Sequence, residues 1–484
     1  MNGSEAGPVS SGDWQRRAAR GLVALMVRDG VIRVLALASH IVLARLLSPE
    51  ALGAFAVVLF AVSLFDAIGE LGLSGALVQR RELLTLPDQR TAFTLQALIE
   101  GVSVLLIWLA APTLAAAYRL PPDTVPLFRW LSLSLLLSTV ALIPEARLER
   151  KLDYSRLSLA GALRAATYHA VALALALAGF GIWSLGLAFL ASVVVGTGAL
   201  WAFAPWRPGW AWDRASIRWL LRFGGPFQAQ RLVHLAKDNV APALGVVYGA
   251  AGVGYLSFAG RLATLSAAPA ALVNRISFAT YARVQDDRAA MGATLELAVR
   301  WTALLSCPLI ALLCGLGRPI VHLVYTDKWL PALPALYLLC AEAVFGLVTS
   351  LLMPVLQATG RLSTALRLSL AWAGLTWALA LALAWSPLGF TGVAAAYALS
   401  TPLAALLLAR QIRAVAPVRL LPSAGPAAGA ALAAGAIMAL IAGRLNASLA
   451  ALAVAAVAGL AVYAGLIAWW QGRRLLADAR ELWR

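Results

Sequence analysis

IWSLGLAFLASVVVGTGALWAFA, residues 182–204, runs directly into PWRPGWAWDRASIRWLLR, residues 205–222. The first stretch is apolar almost throughout and has the length, about 20 residues, that a helix needs to cross a bilayer. The second stretch opens with a proline, which disfavours a continuing helix, and contains four arginines. Because the chain repeats this unit of apolar run and polar gap, it is predicted to be an integral membrane protein.

The composition excludes an ordinary soluble protein. The 484 residues are 61% hydrophobic and 13% charged, and the mean hydropathy is +0.81, whereas soluble domains carry roughly 25% charged residues. Alternating-strand patterns are absent, so helices rather than a β-barrel are expected to satisfy the backbone in lipid. The net charge of +17 lies mainly in short gaps, where it is expected to contact anionic lipid headgroups and not nucleic acid.

The gaps between the apolar runs alternate in charge. Every second gap is rich in arginine and lysine, 24 residues in all, whereas the gaps between them hold six. Because Lys and Arg stay on the cytoplasmic side, this alternation predicts an even number of crossings with both termini in the cytoplasm. Fourteen spans are predicted, at residues 20–46, 51–78, 91–117, 126–146, 158–178, 182–204, 223–248, 252–279, 292–317, 333–357, 364–385, 389–410, 424–443 and 448–470.

A weak internal repeat, at an offset of about 200–210 residues, divides the first twelve spans into two sets of six. Residues 46–55 (LLSPEALGAF) match residues 246–255 (VVYGAAGVGY) in a glycine close before an aromatic residue. Gly179-Phe180 likewise matches Gly389-Phe390. Two sets of six spans that start on the same side form a parallel repeat, which is an organisation typical of transporters.

The spans and the repeat together predict four parts. These are a disordered cytoplasmic tail (1–19), an N-terminal six-helix lobe (20–208), a C-terminal six-helix lobe (209–418), and two additional spans with a basic cytoplasmic tail (419–484). The C-terminal lobe is predicted to begin with a short amphipathic helix on the cytoplasmic surface, because basic residues recur every four residues between 212 and 222. No gap is long enough for a soluble catalytic domain, and no catalytic residue, cofactor or metal site is predicted.

Charged side chains inside the apolar runs are costly, and such residues normally face a protein interior or a wet cavity. Basic residues concentrate in the first, seventh and eighth spans, and Arg231, His234 and Asp238 share one helix face. Guanidinium groups bind phosphate through paired hydrogen bonds. A cationic, anion-binding cavity between the lobes is therefore predicted from Arg28, Arg33, Arg231, Lys237, Arg261 and Arg275.

Two other interpretations of these charges remain open. The basic residues could pair with acidic ones, Arg28 or Arg33 with Asp66 or Glu70, and Lys237 with Asp238 or Glu342. The acidic residues could instead carry a coupling proton or sodium ion. The acidic candidates for either role are Asp66, Glu70, Glu100, Asp238 and Glu342.

Several short motifs resemble a known family. LARLLSPEALG (43–53), DAIGELGL (66–73) and ALVQ (76–79) look like the opening of bacterial polysaccharide flippases of the Wzx type. SFATYARVQDD (277–287) resembles the start of that family's second lobe. The family belongs to the multidrug/oligosaccharidyl-lipid/polysaccharide (MOP) exporter superfamily, and the likeness extends to nearly the whole chain in the number and order of spans.

The resemblance implies a V-shaped pair of six-helix lobes in the bacterial inner membrane, acting as a monomer. It implies export of an undecaprenyl-diphosphate-linked oligosaccharide, such as an O-antigen, exopolysaccharide or capsule unit, from the cytoplasmic to the periplasmic leaflet. Its partners would be that lipid-linked glycan and glycosyltransferases or a polymerase of the same pathway. The family's cavity arginines correspond to Arg28, Arg33 and Arg261. The alternatives are a cation-coupled multidrug efflux antiporter, which needs an acidic cavity, and a membrane glycan polymerase or ligase.

Overall fold

A computed structural model describes residues 30, 32, 34–80, 82, 84–445 and 448–482, without the side chains of 226, 227, 229, 230, 234, 272, 275, 276, 278, 279, 282 and 473–482. The described chain is helical and contains no strand. Its helices are α1 (Val34–Leu46), α2 (Pro49–Gly69), α3 (Leu73–Gln79), α4 (Leu86–Ala117), α5 (Thr124–Ser132), α6 (Ser134–Arg150), α7 (Tyr154–Leu177), α8 (Ile182–Phe203), α9 (Arg214–Asp238), α10 (Val240–Ala243), α11 (Gly245–Leu265), α12 (Ala268–Arg283), α13 (Arg288–Ile320), α14 (Leu333–Ala358), α15 (Leu362–Ala384), α16 (Phe390–Arg413), α17 (Leu420–Arg444) and α18 (Leu449–Leu482).

In the described part of the chain, eleven helical segments are long and apolar enough to cross a membrane. They correspond to the second to sixth and the ninth to fourteenth predicted spans, so the multi-pass all-α fold is confirmed. The seventh and eighth spans are not among the eleven, because glycines, prolines and basic residues interrupt α9 to α12. Much of the first span lies outside the described residues, and the total of fourteen spans stays a prediction.

Side-chain caps explain where several helices begin. Ser48 caps α2 by accepting a hydrogen bond from the Ala51 backbone N–H at 3.2 Å, and Pro49 follows at the first helical position. Asp213 caps α9, where its carboxylate accepts from the Ser216 hydroxyl at 2.6 Å and the Ser216 backbone N–H at 2.7 Å. These two hydrogen bonds hold the pKa of Asp213 below its usual range.

The segment 212–222 differs from its prediction. It does not form a separate short helix, because its helical residues are the first turns of α9, which continues without a break to Asp238. The amphipathic pattern reflects a helix that starts in a basic gap and packs one side against α3 and α4 before it enters the C-terminal lobe.

Each lobe has its own apolar core. In the N-terminal lobe, α2, α4, α5, α7 and α8 pack around buried leucines, alanines and Phe128. In the C-terminal lobe, α11, α14 and α16 pack around buried Trp329 and Tyr325. The last two helices, α17 and α18, pack together against α13.

The backbone dihedral angles of two glycines support the internal repeat and change the alignment of its two halves. Gly181 precedes α8 with φ 54° and ψ −132°, and Gly389 precedes α16 with φ 52° and ψ −125°. This strained conformation strongly favours glycine, so the two residues occupy equivalent positions. The sequence match of Gly179 with Gly389 is therefore wrong by two residues.

Candidate functional site: a basic chamber between the lobes

The two lobes touch where the repeated glycine segments meet. A Cβ atom on Gly53 of α2 would lie 1.8 Å from the carbonyl oxygen of Ala250 in α11. A Cβ atom on Gly254 would lie 2.0 Å from the Pro49 carbonyl oxygen. Backbones this close leave no room for a side chain, so the repeat places its two equivalent helices in direct contact across the lobe interface.

Hydrogen bonds reinforce this contact at the arginine-poor end of the helices. The Trp329 indole donates to the Ala44 carbonyl at 2.8 Å, and the Lys328 ammonium donates to the Arg45 carbonyl at 2.7 Å. Trp329 is fully buried and stacks on Phe258 with ring centroids 4.4 Å apart. The lobes are therefore closed at this end.

A second contact lies nearer the arginine-rich end, which is the end that carries the α6–α7 and α8–α9 loops. Arg231 of α9 forms an ion pair with Asp66 of α2 at 2.8 Å and another with Glu70. One turn earlier, the Gln228 amide donates to the Ala67 carbonyl. These bonds join the C-terminal lobe to the N-terminal lobe, so the structure is closed at both ends.

The observed pairing bears on the predicted site in two ways. Arg231 is occupied by two carboxylates and is not a free anion-binding group in this conformation. Among the described residues, Asp66 and Glu70 pair with Arg231 of α9, and their pairing with Arg28 or Arg33 stays a prediction. Arg28 and Arg33 lie outside the described residues, as do the side chains of His234 and Arg275.

Lys237, Asp238 and Glu342 lie within the C-terminal lobe, and Glu100 lies beside Gly69 of α2. Lys237 pairs with Asp238 at 2.8 Å, and its ammonium sits 4.9 Å from the ring centroid of Trp372 inside the C-terminal lobe. Glu342 of α14 accepts a hydrogen bond from Thr401 at 3.3 Å. Glu100 of α4 is fully buried, and neither of its oxygens has a hydrogen-bond partner among the described residues; its role in ion coupling stays a prediction.

Between the two closed ends lies a chamber of about 520 Å³, bounded by α1, α2, α7, α8 and α11. Arg164 from α7 and Arg261 from α11 both line it, and neither forms an ion pair with a described residue. No described carboxylate lines the chamber. Two guanidinium groups in a mostly apolar chamber whose described lining has no carboxylate favour the binding of an anion.

Two histidines also line the chamber, together with Tyr168 and three serines. His40 stacks on Phe258 with centroids 5.7 Å apart, and His169 is buried on α7. The Nδ1 atom of each ring is buried without a hydrogen-bond partner among the described residues.

Of the two arginines and two histidines that line the chamber, the sequence predicts one as a site residue. Arg261 was predicted, whereas Arg164, His40 and His169 were not. The available signal was helical spacing, since Arg164 and Tyr168 lie four residues apart and both line the chamber. That signal was outweighed by the larger number of basic residues in the first, seventh and eighth spans.

Two lobes of membrane-spanning helices around a chamber define a multi-pass membrane protein with an architecture typical of transporters. Residues 42–334, more than half of the chain, match the family model described as "Polysaccharide biosynthesis protein". The chain belongs to that family.

Curated relatives agree with this assignment. The chain is 26% identical over 324 residues to "Succinoglycan biosynthesis transport protein ExoT" of Rhizobium meliloti (strain 1021), a match that covers 66% of this chain and 65% of the relative. It is 24% identical over 340 residues to "Lipopolysaccharide biosynthesis protein WzxC" of Escherichia coli (strain K12), covering 67% of this chain and 66% of the relative. The chain thus spans just under two thirds of the length of these relatives.

The fold is shared with a solved flippase structure. "Lipid II flippase MurJ, inward closed conformation" superposes with a TM-score of 0.79 at 16% identity, covering 94% of this chain and all of that one. The family model and the relatives confirm the resemblance found in the sequence, and the solved structures share the fold. At this identity the superposition concerns the fold alone.

Proposed function

We propose that this protein is a flippase that carries an undecaprenyl-diphosphate-linked oligosaccharide from the cytoplasmic to the periplasmic leaflet of the bacterial inner membrane. The observation that carries the proposal is the chamber between the lobes, where Arg164 and Arg261 are free of ion pairs and no described carboxylate is present. A diphosphate supplies the oxygens that two guanidinium groups bind best.

The size of the chamber limits which part of the substrate enters. A volume of about 520 Å³ suits a small headgroup and excludes a long polyprenyl chain. The tail therefore stays in the hydrocarbon of the bilayer, where it loses no hydrophobic stabilisation. Only the diphosphate and its sugars cross through the protein.

The two contacts between the lobes indicate how the chamber could open at either end. Separating Arg231 from Asp66 and Glu70 would open the chamber toward the arginine-rich end, which the charge pattern predicts to be cytoplasmic. Separating the Gly53–Gly254 contact would open the opposite end. Rocking of the lobes about the chamber then gives alternating access.

The competing functions fit the chamber less well. A multidrug antiporter that exports cationic drugs needs acidic groups in its central cavity, and the chamber lining carries basic groups instead. A glycan polymerase or ligase needs a large extramembrane loop, whereas the longest gap between helices α1 to α18 is 321–332, which forms short helical turns.

Translocation in liposomes tests the proposal. The purified full chain would be reconstituted with a fluorescent undecaprenyl-diphosphate-linked oligosaccharide, and transfer to the outer leaflet would be followed by quenching. Arg164→Ala and Arg261→Ala should each slow translocation about tenfold or more, because each removes charge-assisted hydrogen bonds to phosphate.

Arg367→Ala is the matched control, since Arg367 is an exposed arginine of α15 that bonds only its own helix at the Ser363 carbonyl. The control should keep the wild-type rate. Wild-type rates in both chamber variants, at equal protein levels, would contradict the proposal.

A further inference from the structure

A second cavity adjoins the basic chamber within the N-terminal lobe. Its volume is about 740 Å³, and it extends toward the α6–α7 loop at the arginine-rich end. The two cavities share Leu59, Gly161, Arg164 and Phe189 in their linings. Arg164 therefore stands at the junction, so a ligand whose phosphates contact Arg164 can extend directly into the second cavity.

The lining of the second cavity is rich in hydroxyl groups that can still form hydrogen bonds with a ligand. The hydroxyls of Ser63, Ser158 and Thr197 make no hydrogen bond with a described residue. Ser134 donates to the Leu131 carbonyl of α5 at 2.6 Å and Ser138 to the Leu135 carbonyl of α6 at 2.7 Å, so both hydroxyl oxygens keep lone pairs free to accept. This arrangement suits a ligand that carries many hydroxyl groups.

The charge of the second cavity is opposite to that of the chamber. Asp66, Glu145 and Glu149 line it, against the single guanidinium of Arg164. Neither Glu145 nor Glu149 forms a hydrogen bond or ion pair with a described residue. Carboxylates accept hydrogen bonds from sugar hydroxyls and repel other carboxylates.

We infer that the second cavity is the subsite for the sugar residues next to the diphosphate, and that it selects neutral or amino sugars against uronic acids. The inference rests on the proposed function, which places the diphosphate between Arg164 and Arg261. The sugar attached to that diphosphate then meets the free hydroxyls and carboxylates of the second cavity. Glu145 and Glu149 are specificity-determining residues, because a uronate brought beside them adds a third close negative charge.

Binding to the purified full chain in lipid nanodiscs tests the inference. The probes are a polyprenyl diphosphate carrying N-acetylglucosamine and the same lipid carrying glucuronic acid. Wild-type protein should bind the N-acetylglucosamine lipid about tenfold more tightly. The double variant Glu145→Gln, Glu149→Gln should tighten binding of the glucuronic acid lipid about tenfold and leave the other within about twofold.

Glu82→Gln is the control, because the Glu82 side chain is 80% exposed and pairs with Arg80 outside the cavity. It should keep the wild-type preference. Equal binding of the two lipids by wild-type protein, a measurement that needs no variant, would overturn the inference and leave the flippase proposal standing. A different result would overturn both the inference and the flippase proposal. In that result, wild-type protein binds neither lipid but binds the cation tetraphenylphosphonium, and the double variant loses that binding.

Discussion

At the scale of single residues, the lobe interface depends on two glycines, which have no Cβ atom. Gly53 and Gly254 let α2 and α11 approach until their backbones touch. Short sequence motifs showed that these glycines recur in the two halves, because the repeat preserves residue type. They could not show that the two copies contact each other, since that contact depends on how the lobes dock.

Gly53→Ala should therefore destabilise the protein, because its Cβ atom would overlap the Ala250 carbonyl and force the helices apart. The expected loss is about 3 kcal/mol, measured by thermal unfolding in detergent. Gly101→Ala in α4 is the control, since a Cβ atom there meets nothing within 4 Å. It should be neutral or stabilise by up to about 1 kcal/mol. Equal stability of the two variants would contradict the tight helix contact.

At the scale of elements, the sequence predicted most helices and the pair of Lys237 with Asp238, but not the pairing of Arg231. The apolar runs of α4, α7 and α8 match their predicted spans because crossing a bilayer imposes a length and a composition. Among the described residues, Asp66 pairs with Arg231 of α9, a pairing that the sequence did not predict. The sequence shows only that an acidic residue needs a basic partner. Which basic residue that is depends on which helices become neighbours.

Arg231→Ala should weaken closure at the arginine-rich end, because it leaves Asp66 and Glu70 without their partner on the opposite lobe. Spin labels at Gln79 and Arg222, both exposed on either side of this contact, would measure the change by double electron–electron resonance, with native cysteines replaced. The distance distribution should shift to longer values.

Arg156→Ala is the matched control, since Arg156 pairs with Asp153 at 3.4 Å within one lobe. Its distances should match those of wild-type protein. A distribution in Arg231→Ala that also equals wild type would show that this ion pair does not hold the lobes together.

At the scale of the whole molecule, two adjoining cavities differ in the charge of their linings. The chamber is basic, and the adjoining cavity of the N-terminal lobe is acidic and rich in hydroxyls. Composition predicted a basic cavity between the lobes, and Arg261 lines one. It did not predict Arg164, because a single arginine in an apolar span carries no sign of whether it faces lipid, a partner carboxylate or a cavity.

The most direct test of the account is calorimetric binding of a short-chain polyprenyl diphosphate carrying N-acetylglucosamine to the purified full chain. The double variant Arg164→Gln, Arg261→Gln should weaken its affinity about a hundredfold relative to wild-type protein and to Arg367→Gln. An unchanged Kd in the double variant would show that the diphosphate does not bind between these two arginines.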